Sequence, residues 1–125
     1  MQRAALWHEP LAELRGSRVP QLWNAAARRV TFGNVAVVAF LLTQCLDGIL
    51  TYVGVTTYGI GVEANPLIAA VMTAFGYGPG LVGAKLVAAG LGILLHMHEI
   101  HTAIAALSAF YLAVAVLPWS ALLFL

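Results

Sequence analysis

Charged side chains are scarce in this 125-residue chain: six are basic and five acidic, 9% of the total, against 62% hydrophobic residues. So little charge cannot wet the surface of a water-soluble globule, which excludes soluble enzymes and nucleic-acid-binding proteins. The charge is also unevenly placed. Five of the basic residues fall within the first 29 positions and only Lys85 comes later, so a net charge of +1 says nothing about polyanionic partners. Cysteine is scarcer still. Cys45 stands alone in an apolar run, which excludes an intrachain disulfide or a thiolate metal cluster and leaves packing as its expected role. No short apolar core with a small-residue cleavage site follows the charged N-terminal stretch, so the first apolar segment is expected to stay in the mature chain. A Gly-x-Ser-x-Gly elbow, a phosphate loop and a catalytic-triad spacing are all missing, which takes support away from covalent catalysis and leans the reading toward a non-enzymatic role.

What the chain does have is long apolar runs, and with a mean hydropathy of +0.91 they predict an all-α, polytopic membrane protein. Residues 1–29 read as an amphipathic, interfacial or cytoplasmic segment. Trp7, Leu11 and Leu14 recur at helical spacing, Gly16 interrupts, and Pro20 opens a second piece with Leu22, Trp23 and Ala26. Arg3, Glu9, Glu13, Arg15, Arg28 and Arg29 line the opposite faces, which suits the headgroup layer with the two tryptophans as anchors; the plainer alternative is a cytosolic tail.

Residues 30–125 form the transmembrane domain, with about four helices expected. Val30 to Val55 is long enough to cross a core of roughly 30 Å. Arg28 and Arg29 stand just before it, so the positive-inside rule places the N-terminus in the cytoplasm. The second helix, Pro66 to Phe75, ends at the breaker string Gly76 to Gly80 and is short. A tight spanning helix in a thinned bilayer is the expectation, with a re-entrant half helix as the other reading. The third helix is predicted from about Leu81 to His96 and the fourth from about Thr102 to Leu125. Small residues recur every fourth position at Ala84, Ala88 and Gly92 and again at Ala105, Ala109 and Ala113, marking faces for close helix contact. Pro118 and Trp119 predict a bend and an interface anchor.

Polar groups inside the apolar runs carry the functional signal. Gln44, Asp47 and Thr51 fall on one face of the first helix, and a carboxylate at that depth costs several kcal/mol unless protonated, paired or hydrated. Lys85 is its candidate partner in either topology. The pair reads either as a strut that sets helix register or as part of an ion or proton path or polar ligand site. Glu63 and Asn65 stand where a carboxylate and a cap suit the start of the second helix, and Glu63 could also close a polar site over Asp47 and Thr51. His96, His98, Glu99 and His101 form a polar turn. His98 and His101 would share a face if helical, but neither H-E-x-x-H spacing nor a cysteine partner is present. No cofactor is expected; a haem, pigment or metal on His96, His98 or His101 is the minor option.

The string Leu46-Asp47-Gly48-Ile49-Leu50-Thr51, the later Glu63-Ala64-Asn65-Pro66-Leu67 and Lys85 in the helix after them make the stretch from about Leu42 to Leu95 resemble a family of small uncharacterised prokaryotic membrane proteins. The resemblance implies that Asp47, Thr51, Glu63, Asn65 and Lys85 belong to one polar constellation in an inner-membrane protein, and it implies no activity. The N-terminal region, the histidine turn and the fourth helix lie outside the resembling stretch. Two functions are therefore expected. One is a membrane accessory protein packed by its small-residue ribbons against larger membrane subunits or copies of itself. The other is a transport component or membrane enzyme that uses Asp47, Thr51, Glu63 and Lys85 to bind an ion, a proton or a lipid-like substrate.

Overall fold

The computed structural model describes residues 18–125, so the readings placed on Arg3 to Gly16 lie outside the described residues. The chain divides into two units, one ending at Phe32 and the other Gly33–Leu125. In the first, residues 18–32 are exposed throughout. Pro20 sits in the opening turn of a helix, where its missing N–H costs nothing. That helix, α1 (Val19–Tyr58), runs without a break through Arg29 and Val30, where the sequence pattern separates an interfacial piece from a spanning one.

Among the described residues the second unit consists of helices joined by short connections, with no strands. After α1 come a single 3₁₀ turn (Ile60–Val62), a short α2 (Pro66–Phe75), α3 (Tyr77–Met97) and α4 (His101–Phe124). Three of these, α1, α3 and α4, are long and apolar enough to cross a membrane. From Gly33 onward α1 buries Gly33, Ala36, Phe40, Thr43, Gln44, Asp47, Thr51, Gly54 and Val55, a single 3.6-residue stripe, while Val35, Val38, Leu42, Leu46, Ile49 and Val53 point outward. An apolar exterior around a partly polar stripe reverses the pattern of a soluble bundle. It is the distribution that hydrocarbon solvent favours, because outward leucine gains nothing by turning in and inward carboxylate loses heavily by turning out.

Without a hydrophobic driving force, close packing has to hold the helices, and three glycines permit it. Gly92 of α3 lies against the Phe40 ring, Gly33 against the His101 ring and Gly54 against the Trp119 ring, each too close for a β-carbon. These contacts give the helix directions. Going along α1, Gly33 meets His101, Phe40 meets Tyr111 and Gly54 meets Trp119, so α4 runs parallel to α1. Phe40 meets Gly92, Gly48 meets Lys85 and Tyr52 meets Gly78, so α3 runs antiparallel. Two apolar clusters result. Ala36, Phe40 and Ile104 form one, Val55, Met72, Leu81 and Trp119 the other, and the polar residues of α1 lie between them.

Several elements depart from the sequence pattern. The breaker string does not delay α3, which starts at Tyr77, because Gly78, Pro79 and Gly80 occupy its first turn, where proline is tolerated. Gly76 alone, at φ 92°, makes the turn from α2 to α3. Trp119 is no exposed anchor: it is buried at 8% in the second cluster. Cys45, expected to pack, is exposed. In α4 the backbone widens to a π-helix over Leu112–Val116, with the Leu117 N–H donating to the Leu112 carbonyl. Pro118 explains it, since a proline ring clashes with the carbonyl four residues back and cannot donate to it. The α3 ribbon Ala84, Ala88, Gly92 turns inward, but in α4 only Ala105 does so, and Ala109 and Ala113 are exposed.

Gly80 is where α2 and α3 come closest. A β-carbon there would lie 2.6 Å from the Val71 carbonyl oxygen and 2.9 Å from the Met72 Cα, backbone atoms that cannot rotate away. Gly80→Ala should therefore destabilise the protein by about 1–3 kcal/mol, read as a lower melting temperature in detergent, whereas Gly83→Ala, which meets open space, should be neutral.

Candidate functional site

The polar stripe of α1 finds its partners on α3. Lys85 Nζ forms a salt bridge with Asp47 Oδ2 and donates to Gln44 Oε1 at 3.3 Å; Thr51 Oγ1 donates to Asp47 Oδ1 at 3.1 Å. Both carboxylate oxygens of Asp47 are thus engaged, in a region where Asp47 is 4% and Thr51 2% exposed. Helical spacing explains the convergence. Residues 44, 47 and 51 stack on one face, so one ammonium from a facing helix reaches two of them while the third braces the carboxylate. The lysine stem crosses α1 at Gly48, where it lies 3.5 Å from the place a β-carbon would take. Its ammonium also stands 5.3 Å from the centre of the Tyr111 ring of α4.

Glu63 and Asn65 reach the same place by a different route. α1 ends at Tyr58, yet Val62, Glu63, Ala64 and Asn65 share cavity walls with Asp47 and Thr51. Asp47 lies eleven residues before that end, or about 16 Å along the helix. The connection therefore turns back beside α1 before α2 climbs again, bringing Met72 against Val55. Two local bonds shape the turn. The Asn65 N–H donates to Glu63 Oε1 at 2.7 Å, and Asn65 Oδ1 caps α2 by accepting from the Leu67 and Ile68 N–H groups at 3.0 and 3.4 Å. Asn65 is a helix cap with Pro66 behind it, as the motif predicts. Partial burial raises the Glu63 carboxyl above its ordinary pKa, and nearby Asp47 adds to this; the Asn65 N–H bond and Lys85 act the other way without cancelling it.

Asp47, Thr51, Glu63, Asn65 and Lys85 line one cavity of about 390 Å³. Gln44 stands behind it, bonded to Lys85, with its Nε2 buried and unpartnered. The far wall comes from α4: Phe110, Tyr111, Pro118 and Trp119. No sequence signal singled these out for the site, because aromatic residues in an apolar helix look alike until the facing helix is known. The only trace was helical spacing, since Tyr111, Ala115 and Trp119 repeat every fourth residue.

The histidine turn is arranged differently from the pattern suggested by spacing. His98 and His101 do not share a face. His98 caps α3 and is exposed, Glu99 takes the left-handed conformation at φ 58°, and the pair that meets is His96 and His101, ring centres 5.1 Å apart. The Nδ1 atoms of both are buried and unpartnered. Among the described residues no group of three or more histidine, cysteine, aspartate or glutamate side chains is placed to hold a metal ion.

Neither the curated proteins nor the solved structures offer a match to this chain. A family pattern does match, over residues 38–125. It takes in the histidine turn and α4, which the motif resemblance had left outside, along with every residue of the cavity. The chain accordingly belongs to the family described as Domain of unknown function (DUF5658).

Proposed function

We propose that this is a multi-pass protein of a prokaryotic cytoplasmic membrane that binds a small ionic or amphiphilic ligand in its cavity, as a transport component or membrane enzyme would. The observation that carries the reading is the convergence of Asp47, Thr51, Glu63, Asn65 and Lys85 on one space from three separate parts of the chain. A strut alone needs only Asp47 and Lys85. The added carboxylate, the room beside it and the aromatic wall are the features of a ligand site: concave, mostly apolar, with a few convergent polar groups.

The topology that goes with this reading has three crossings. α2 has ten residues, a rise of about 15 Å or half a hydrocarbon core, and α3 begins beside Tyr52 at the end of the bundle where α1 finishes. We read the segment from Gly59 to Phe75 as re-entrant, with Val62 to Asn65 lining the cavity beside Asp47 and Thr51. With Arg28 and Arg29 holding the N-terminus in the cytoplasm, the histidine turn is cytoplasmic and Leu125 is outside. In a Cys45→Ser background, an impermeant maleimide should label Leu125→Cys on intact cells and His98→Cys only after permeabilisation. The reverse labelling would restore a spanning α2.

The second reading, an accessory subunit, is favoured by Ala109 and Ala113 on α4, a small-residue ribbon that is exposed among the described residues. Native mass measurement after mild-detergent purification from native membranes separates the two. Ligand binding predicts a small-molecule adduct on the wild type that is lost in Glu63→Gln and Thr51→Val. A clean chain bound to a stoichiometric larger membrane protein would overturn it in favour of the subunit reading.

A further inference from the structure

The charge balance of the cavity says what kind of ligand it suits, given the ligand-site reading above. Asp47 and Lys85 neutralise each other, and two donor positions of the ammonium are taken by Asp47 and Gln44. The Thr51 hydroxyl donates to Asp47, and Asn65 Oδ1 is held by the cap of α2. That leaves Glu63. One of its oxygens accepts the Asn65 N–H, and among the described residues the other accepts no hydrogen bond. Among the described residues the cavity therefore holds one carboxylate beyond its internal ion pair, and its lining includes Phe110 and Trp119 besides Tyr111, whose ring already has the Lys85 ammonium 5.3 Å from its centre.

A surplus carboxylate in a cavity lined by aromatic side chains is the combination that recognises substituted ammonium groups, which are attracted by the charge and by the rings and which need few hydrogen bonds. An anion fits poorly. It would meet Glu63, while among the described residues the one cation lining the cavity, Lys85, is already paired with Asp47. We propose that the ligand of this cavity is an organic cation of the substituted-ammonium class, with Glu63 as its counter-ion and the α4 aromatics as its wall. The cation is either a free amine or quaternary ammonium compound or the amine-bearing headgroup of a lipid. Cation binding requires the ionised carboxylate, so uptake below the pKa of Glu63 displaces a proton and affinity falls as pH falls through that range.

The test uses the full chain in phosphatidylglycerol nanodiscs, with Trp7→Phe and Trp23→Phe so that Trp119 alone reports fluorescence. Tetramethylammonium should give a saturable change, weakened by about tenfold or more in Glu63→Gln and weakened at acid pH in the wild type alone. Glu63→Gln retains an acceptor for the Asn65 N–H, and an unchanged melting temperature would verify that the turn persists. Neopentyl alcohol, the uncharged analogue of like shape, should give no saturable change. Adding phosphatidylethanolamine to the nanodiscs identifies the source: competition points to a lipid headgroup, and its lack to a free cation. Equal binding of the alcohol, or equal tetramethylammonium binding by Glu63→Gln, would overturn the proposal. If native mass measurement finds an adduct but no cation binds, this inference fails and the ligand-site reading stands; if neither is found, both fail.

Discussion

Asp47→Asn is expected to cost up to about 3–5 kcal/mol of stability, because it leaves the part-buried Lys85 ammonium without its charged partner. The side chains of Asp47 and Lys85 are only 6% and 17% exposed, so the water that the cavity admits replaces the lost partner only in part. Lys85→Met should cost a similar amount by stranding the carboxylate, which Thr51 alone then stabilises. The double variant Asp47→Leu, Lys85→Met should be more stable than either single one, since an unpaired buried charge is worse than none. Thermal melting in detergent of the four proteins measures the coupling. Additive losses would mean that the two residues do not act as a pair. Ligand adducts should be missing from the double variant even though it folds, which separates the stabilising role of the pair from its place in the cavity.

Gly54→Val is the second large effect. The Trp119 ring occupies the space where a β-carbon of residue 54 would stand, and Trp119 is itself confined among Val55, Met72 and Leu81. Neither ring nor helix can yield without opening the cluster, so the cost should be at least about 1–3 kcal/mol. The origin of the loss can be checked. In a Trp119→Ala background the obstruction is gone, and Gly54→Val should be less costly there by roughly 0.5–3 kcal/mol. An equal cost in both backgrounds would show that the glycine serves some other purpose. Since Trp119 also lines the cavity, Trp119→Ala should weaken ligand retention while leaving the Asp47–Lys85 pair in place.

Much of the candidate site was legible in one dimension. Gln44, Asp47 and Thr51 announce a shared face by spacing alone, and a single lysine beyond the N-terminal region leaves Asp47 few partners to choose from. Asn65 before Pro66 reads as a cap, and the structure has it as one. The histidine turn was less legible. Spacing pairs His98 with His101 only if the helix continues, whereas the left-handed Glu99 breaks it and swings His101 toward His96.

Composition, hydropathy and periodicity are local quantities, and by themselves they determined the all-helical class, the three long apolar helices, the shortness of α2 and the polar stripe. What only the tertiary structure decided is non-local. The return of Glu63 beside Asp47, the inward turn of Trp119 and the choice of α4 as the far wall depend on which faces meet. In hydrocarbon, apolar faces are nearly equivalent in free energy, so nothing in the pattern of a single helix says which one turns inward. Gly33, Gly54 and Gly92 allow the close approaches that settle the choice, and the Asp47–Lys85 ion pair bridges α1 and α3.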